Sequence, residues 1–344
     1  MRSSNIANPA ASTPLAPIVI SMGDPAGIGP EILGKAWARR NEAGLPVFFA
    51  TGDARAISAV WDGPVQPISH PDAAQGVFGD ALPVLTVEDG GEIVPGVPDV
   101  EGARCALRAL ELAAGLVRSG AARALVTAPV SKSQLYNIGF NYPGQTEFVA
   151  ERCGIAGENA VMMLAAPDLR VVPITTHVPL AEVSALLSIE LLVAKGRATA
   201  RGLTRNFGIV APRITFAGFN PHAGESGAIG REEIEIIAPA VAQLCAEGIL
   251  AAGPYAADTL FHARARLRYD AVLCCYHDQA LIPIKTLYFD DGVNITLGLP
   301  IVRTSPDHGT AFDIAGRNVA EPGAMIAAIR MAGNAAERRA AADA

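Results

Sequence analysis

Short, uninterrupted apolar runs alternate along this chain with longer segments whose apolar residues recur at helical spacing. The runs at 18–22, 46–53, 124–130, 160–166, 170–176, 213–219 and 269–276 predict β-strands buried on both faces. Between them the spacing predicts a helix opening at Pro30, where proline suits the first turn, and others over 100–119, 146–153, 184–207 and 232–249. Glu232 and Glu233 suit the positive end of the last of these. A terminal helix ends in AAERRAAADA. Residues 61–100 are rich in Pro, Gly and Asp and read as loops with short strands, and residues 277–316 read as loop-rich. Strands alternating with helices predict an α/β architecture with a largely parallel sheet.

Three histidines each follow one of the predicted strands. His177 follows VVPITT, His222 follows ITFAGFNP, and His277 follows AVLCCY. Open α/β sheets bind ligands beyond the carboxyl ends of their strands, so the placement predicts one convergent divalent-metal site. The histidines are far apart in sequence, unlike the close ligands of a zinc finger or an HExxH helix. Three ligands that leave room for substrate oxygens fit the catalytic pattern rather than the closed structural one. Any one of them taken singly reads more readily as a satisfied polar residue than as a ligand.

Composition narrows the classes. With 344 residues, half of them hydrophobic and 18% charged, the chain is large enough for two packed lobes. The 34 glycines and 25 prolines suit a compact, turn-rich enzyme. A net charge of −7 argues against an extended nucleic-acid footprint. Five cysteines without a CxxC pair do not read as a disulfide framework, and adjacent Cys274 and Cys275 would point to opposite faces of a strand. A reducing cytoplasm is therefore expected. The first residues lack the apolar core of a signal peptide and read as a loose tail, and no window is apolar enough to span a membrane.

Two segments carry the polar chemistry. GDPAGIGPE, residues 23–31, places glycines between a strand and a helix start, which serves either a tight structural turn or a loop that cradles an anion. It is not GxGxxG, because Ile32 stands where the last glycine would be, so a Rossmann cofactor loop is not supported. The densest polar stretch runs from His277 onward. Lys285, Asn294 and Arg303 offer donors for phosphate or carboxylate oxygens. His308, Gly309, Thr310 and Asp313 form a turn whose backbone amides suit a nucleotide, so these four are the candidate cofactor-binding residues.

The blocks GDPAGIGPE, TAPVSK, GQTEF, TTHVPL, FNPHAGESG, YHDQ with PIK, VNITLGLP and RTSPDHGTAFDIAG, in this order, resemble the 4-hydroxythreonine-4-phosphate dehydrogenase family of vitamin B6 biosynthesis. The match covers residues 18–320. The resemblance implies a two-lobed fold like that of isocitrate and isopropylmalate dehydrogenases, not a Rossmann fold, with the active site in the cleft. It divides the chain into a tail (1–16), a discontinuous first lobe (17–137 with 300–344), and a second lobe (138–299) carrying the metal ligands and dimer interface. It implies metal ligation by His177, His222 and His277, and substrate binding by Gln145, Thr146, Lys285, Asn294 and Arg303. It also implies NAD or NADP as cofactor and a homodimer whose active site is completed across the interface. Zinc is the first expectation for the ion, with magnesium or cobalt behind it.

The implied reaction oxidises the C3 hydroxyl of a small phosphorylated amino-acid substrate, after which the β-keto acid loses CO2. Asp258 in ADTLF is the candidate for metal support or proton relay, with a helix N-cap as its structural alternative, and Lys285 is placed with it among the catalytic residues. One position departs from the family pattern: Gln145 stands where Gly-His-Thr is usual, and glutamine hydrogen-bonds but does not titrate near neutral pH. Three rivals remain. They are a paralogue acting on a phosphorylated threonate or cyclic diol carboxylate, a metal-dependent hydrolase, and a binding protein that kept the cleft.

Overall fold

A computed structural model describes residues 15–87 and 91–343. The expected tail thus lies almost wholly outside the described residues. The described strands are β1 (Ile18–Ser21), β2 (Phe48–Gly52), β3 (Val65–Ile68), β4 (Leu82–Thr86), β5 (Leu125–Thr127) and β6 (Val161–Ala165). They continue with β7 (Arg170–Pro173), β8 (Arg213–Ala217), β9 (Leu250–Tyr255), β10 (Ala271–Cys274), β11 (Val293–Leu297) and β12 (Arg303–Pro306). All join one sheet in the order β3-β4-β2-β1-β5-β12-β11-β6-β7-β10-β8-β9.

The sheet is two parallel blocks running in opposite directions. β3 through β12 in that order are mutually parallel, as are β7, β10, β8 and β9. β11 pairs antiparallel with both β12 and β6, and β6 pairs antiparallel with β7. This junction lies on the floor of the cleft.

Alternation along the strands supplies two cores per block. In the first block Ile18, Ile20, Phe48 and Val126 face one core with Ile329 of the terminal helix (Gly323–Asp343). Val19, Phe49 and Leu125 face the other with Leu110 and Phe148. In the second block Val172, Phe216 and Leu273 pack with Leu203, and Val171, Ala217 and Val272 pack with Ile284. Each fully buried Phe or Leu side chain contributes about 2 kcal/mol.

The structure redraws several expectations. Phe140, Phe148, Val149 and Ala160 belong to the first block's core, so the expected lobe boundary at 137/138 cuts through one packed unit. The predicted helix over 184–207 is interrupted: Leu187 and Ser188 are extended, and the Ser188 hydroxyl accepts from Leu191 N at 3.1 Å to start a new helix, Ile189–Phe207. The region read as loops from 277 contains the helix His277–Leu287 and strands β11 and β12. Pro283 inside the helix and Arg303 inside a buried strand hid both patterns. β9 carries Gly253 and Pro254, breakers that an edge strand tolerates.

Candidate active site in the cleft

β7, β10 and β8 are neighbours in the sheet, and each delivers one of the three histidines beyond its carboxyl end. His177 sits in a turn with φ 53°, and His277 opens the helix that follows β10. Their ring centroids lie 5.7 Å apart. Burial, then the charges of Lys132 and His277, hold the His177 pKa below its ordinary value, which favours the neutral, ligand-competent imidazole. His277 Nδ1 lies 2.7 Å from Asp278 Oδ1, which leaves Nε2 for a ligand. A carboxylate behind an imidazole is the usual orienting partner of a metal-bound histidine.

His222 does not join this pair. It lies on the turn Pro221–Gly227, where His222, Ala223, Gly224, Glu225 and Ser226 all have positive φ. Its side chain is 70% exposed, with Nδ1 3.1 Å from Glu225 Oε2. Among the described residues no three His, Cys, Asp or Glu side chains gather closely enough to hold an ion. Within one chain the three expected ligands thus fall into a pair and an outlying third member. The outlying turn is firmly built. Buried Glu233 accepts from Asn220 N at 2.7 Å and Asn220 Nδ2 at 3.0 Å, and Glu232 accepts from Asn220 Nδ2 at 2.7 Å. The two glutamates expected to serve the helix dipole thus anchor the His222 turn.

Asp258 lies in the short turn Ala257–Thr259, which packs against the His222 turn. It is exposed and is neither the N-cap, which is Ala256, nor part of the wall of its own chain's cavity. His222 and Asp258 thus share one surface patch.

The cleft holds a cavity of about 400 Å³ whose wall includes His177, His277, Gln145, Thr146, Lys285, Asn294 and Arg303. Arg303 is 3% exposed, and its guanidinium donates to the hydroxyls of Thr127 (2.7 Å), Thr146 (3.0 Å) and Thr296 (3.1 Å). Its Nε has no partner, and burial brings its pKa down to about 10. Gln145 Nε2 donates to Ala128 O at 3.2 Å, but the amide oxygens of Gln145 and Asn294 are buried without a partner. Lys285 Nζ is 2.8 Å from Asp307 Oδ2. Unsatisfied donor and acceptors in one cavity wall suit a ligand bearing both an anionic group and N–H or O–H donors.

A family model described as "Pyridoxal phosphate biosynthetic protein PdxA" matches residues 46–332. The chain belongs to the PdxA family. A 4-hydroxythreonine-4-phosphate dehydrogenase of Zymomonas mobilis is 57% identical over 323 residues, covering 94% of this chain and 96% of that protein. The crystal structure of 4-hydroxythreonine-4-phosphate dehydrogenase from Klebsiella pneumoniae has a TM-score of 0.85 at 37% identity, covering 95% of this chain and 99% of that one. A terephthalate 1,2-cis-dihydrodiol dehydrogenase from Burkholderia xenovorans is more distant, with TM-score 0.64 and 29% identity, covering 93% and 98%.

Within this PdxA fold the expected cofactor turn divides in two. His308 and Gly309 line the cavity mouth, whereas Thr310 and Asp313 do not. Thr310 O accepts from Ile28 N at 3.0 Å, and a Cβ on Gly27 would stand 3.1 Å from that oxygen. The glycines of GDPAGIGPE serve the same close packing: a Cβ on Gly23 would come within 2.3 Å of Pro129 O, and Gly23 has φ 78°. Of the two readings of that turn, these contacts support the structural one.

Lys132, Glu147, Lys195 and Asp307 also line the cavity and were not singled out from the sequence. TAPVSK could have flagged Lys132. Lys195 sits inside a helical apolar pattern that gave it no distinction.

Proposed function

We propose that this chain is a metal-assisted, NAD-dependent oxidoreductase that converts 4-phosphooxy-threonine to 3-amino-2-oxopropyl phosphate and CO2 on the route to pyridoxal phosphate. The observation that carries this reading is Arg303, a buried cation in the cavity wall held by three hydroxyls and by no carboxylate. Glu147 acts on it only at longer range, and a buried cation with no carboxylate in contact costs several kcal/mol unless a ligand supplies the anion. The PdxA relationship supports a phosphorylated hydroxy amino acid as that ligand.

In this reading Arg303 and Lys285 hold the two anionic ends of the substrate. The amide oxygens of Gln145 and Asn294 accept its ammonium and hydroxyl protons, and Thr146, already bound to Arg303, fixes the floor. His308 and Gly309 border the mouth through which the nicotinamide would reach C3, and NAD or NADP supplies the hydride acceptor. Neutral His177 and Asp278-backed His277 suit a divalent ion with an affinity for imidazole, zinc or cobalt ahead of oxygen-preferring magnesium. When bound, such an ion would supply Lewis acidity toward the substrate hydroxyl and the ketone formed from it.

The third ligand reads as the partner's. In a homodimer the exposed patch carrying His222 and Asp258 would close over the neighbouring cleft, with Asp258 entering as an orienting or proton-relaying carboxylate. The free thiols, with Cys105, Cys274 and Cys275 buried, suit a cytoplasmic enzyme. Gln145 and the likeness to a cis-dihydrodiol dehydrogenase favour one second reading, oxidation of a cyclic diol carboxylate. A substrate panel with NAD or NADP separates the two: preference for 4-phosphooxy-threonine supports the proposal, and preference for a diol carboxylate overturns it.

A further inference from the structure

Lys195, on the helix Ile189–Phe207, lines the wall of the cleft cavity and is partly buried. Its carbonyl accepts from Thr199 Oγ1, but among the described residues its amine has no hydrogen-bond or ion-pair partner. The other basic groups of the wall are differently placed. Lys285 is pinned to Asp307, and Lys132 is exposed beside Glu147 at Gly144. Arg303 keeps its proton at any working pH. His177 and His277 are committed to the ion.

Glu147 on the helix Gln145–Arg152 is the charge that acts on Lys195, and Asn294 on β11 and Arg303 on β12 share its cavity wall. Burial lowers the pKa of Lys195 and Glu147 opposes that shift. A partly desolvated lysine gives up its proton more readily than an exposed one.

We propose that Lys195 is the proton carrier of the reaction, and this rests on the oxidative decarboxylation proposed above. In the first step the C3–H bond breaks and the hydride goes to the nicotinamide. The hydroxyl proton goes to Lys195 Nζ, and the C3 ketone forms. In the second step the bond from C2 to the carboxylate breaks, CO2 leaves, and the electron pair passes to C2 and the adjacent carbonyl. The Lys195 ammonium then donates its proton to C2, forming the new C–H bond. The proton taken is the proton returned, so the lysine ends neutral and no net proton is released.

Lys195→Arg and Lys195→Ala test the role against simple anion binding, since arginine keeps the charge but does not give up a proton. Both should fall at least ~100-fold in kcat with unchanged melting temperature and substrate and NAD dissociation constants within roughly threefold. Methylamine should restore part of the Lys195→Ala rate. A Lys195→Arg enzyme within roughly threefold of wild type, or a loss confined to substrate affinity, overturns the proposal. Wild-type protein inert toward 4-phosphooxy-threonine overturns the functional reading and the Lys195 role together, whereas an active wild type with an active Lys195→Arg overturns the Lys195 role alone.

Discussion

Burying Arg303 among the hydroxyls of Thr127, Thr146 and Thr296 costs the fold free energy that an anionic ligand would return. Arg303→Met should therefore keep or raise the melting temperature, by up to about 3 kcal/mol of stability, while weakening substrate binding ~100-fold or more. Thermal melts and calorimetric titration check both halves, and a destabilised variant that still binds would contradict the account. Asp24 offers a second residue-scale test. Burial, opposed by the Ala26 N–H and reinforced by Asp99, raises its pKa to about 6. The folded state thus keeps a proton that the unfolded chain releases, so its share of stability is present at low pH and is lost as pH rises from about 4 to about 6. The loss is on the order of 3 kcal/mol. Asp24→Asn should lack it, so its advantage over wild type in melting temperature should grow from pH 4 to pH 7.5. At this scale Lys285, Asn294 and Arg303 stood out by type in the densest polar stretch, Gln145 and Thr146 only through the family's motif order, and all five line the cavity. Lys195 and Glu147 were not, because what distinguishes them is burial in a shared wall.

The strands that read as plain apolar runs formed as expected, since burial on both faces leaves a continuous signal in sequence. β12, β9 and the helix His277–Leu287 escaped because their function-bearing or edge positions carry Arg303, Pro254 and Pro283. The break at Ser188 turns on a single hydroxyl that satisfies Leu191 N at the start of a long helix. Ser188→Ala should lower stability by about 1 kcal/mol, read by denaturant unfolding, and leave substrate affinity unchanged. A helix running through 184–207 without loss would show that the cap does not set the boundary. The strand-end placement of the three histidines was readable, but the left-handed turn that carries His222 away from the pair was not. Its direction is set by Asn220 bound to Glu232 and Glu233, side-chain contacts that close across the turn and leave no periodic signal in sequence.

The two parallel blocks meet through antiparallel β11 and β6, and the cavity sits over that junction with His177 and His277 at one side. A site completed by a partner's His222 has a consequence for mixed dimers. His222→Ala and His277→Ala proteins should each be inactive alone. Unfolded and refolded together, they should recover activity in about a quarter of the sites, because each heterodimer regains one intact set. No recovery would place all three ligands in one chain. The most direct test of the central claim follows nicotinamide reduction and CO2 release together, with metal-loaded protein, 4-phosphooxy-threonine and NAD. The account predicts one reduced nicotinamide for each CO2, abolished by chelation and restored by zinc or cobalt. Metal-dependent phosphate release without nicotinamide reduction would contradict it.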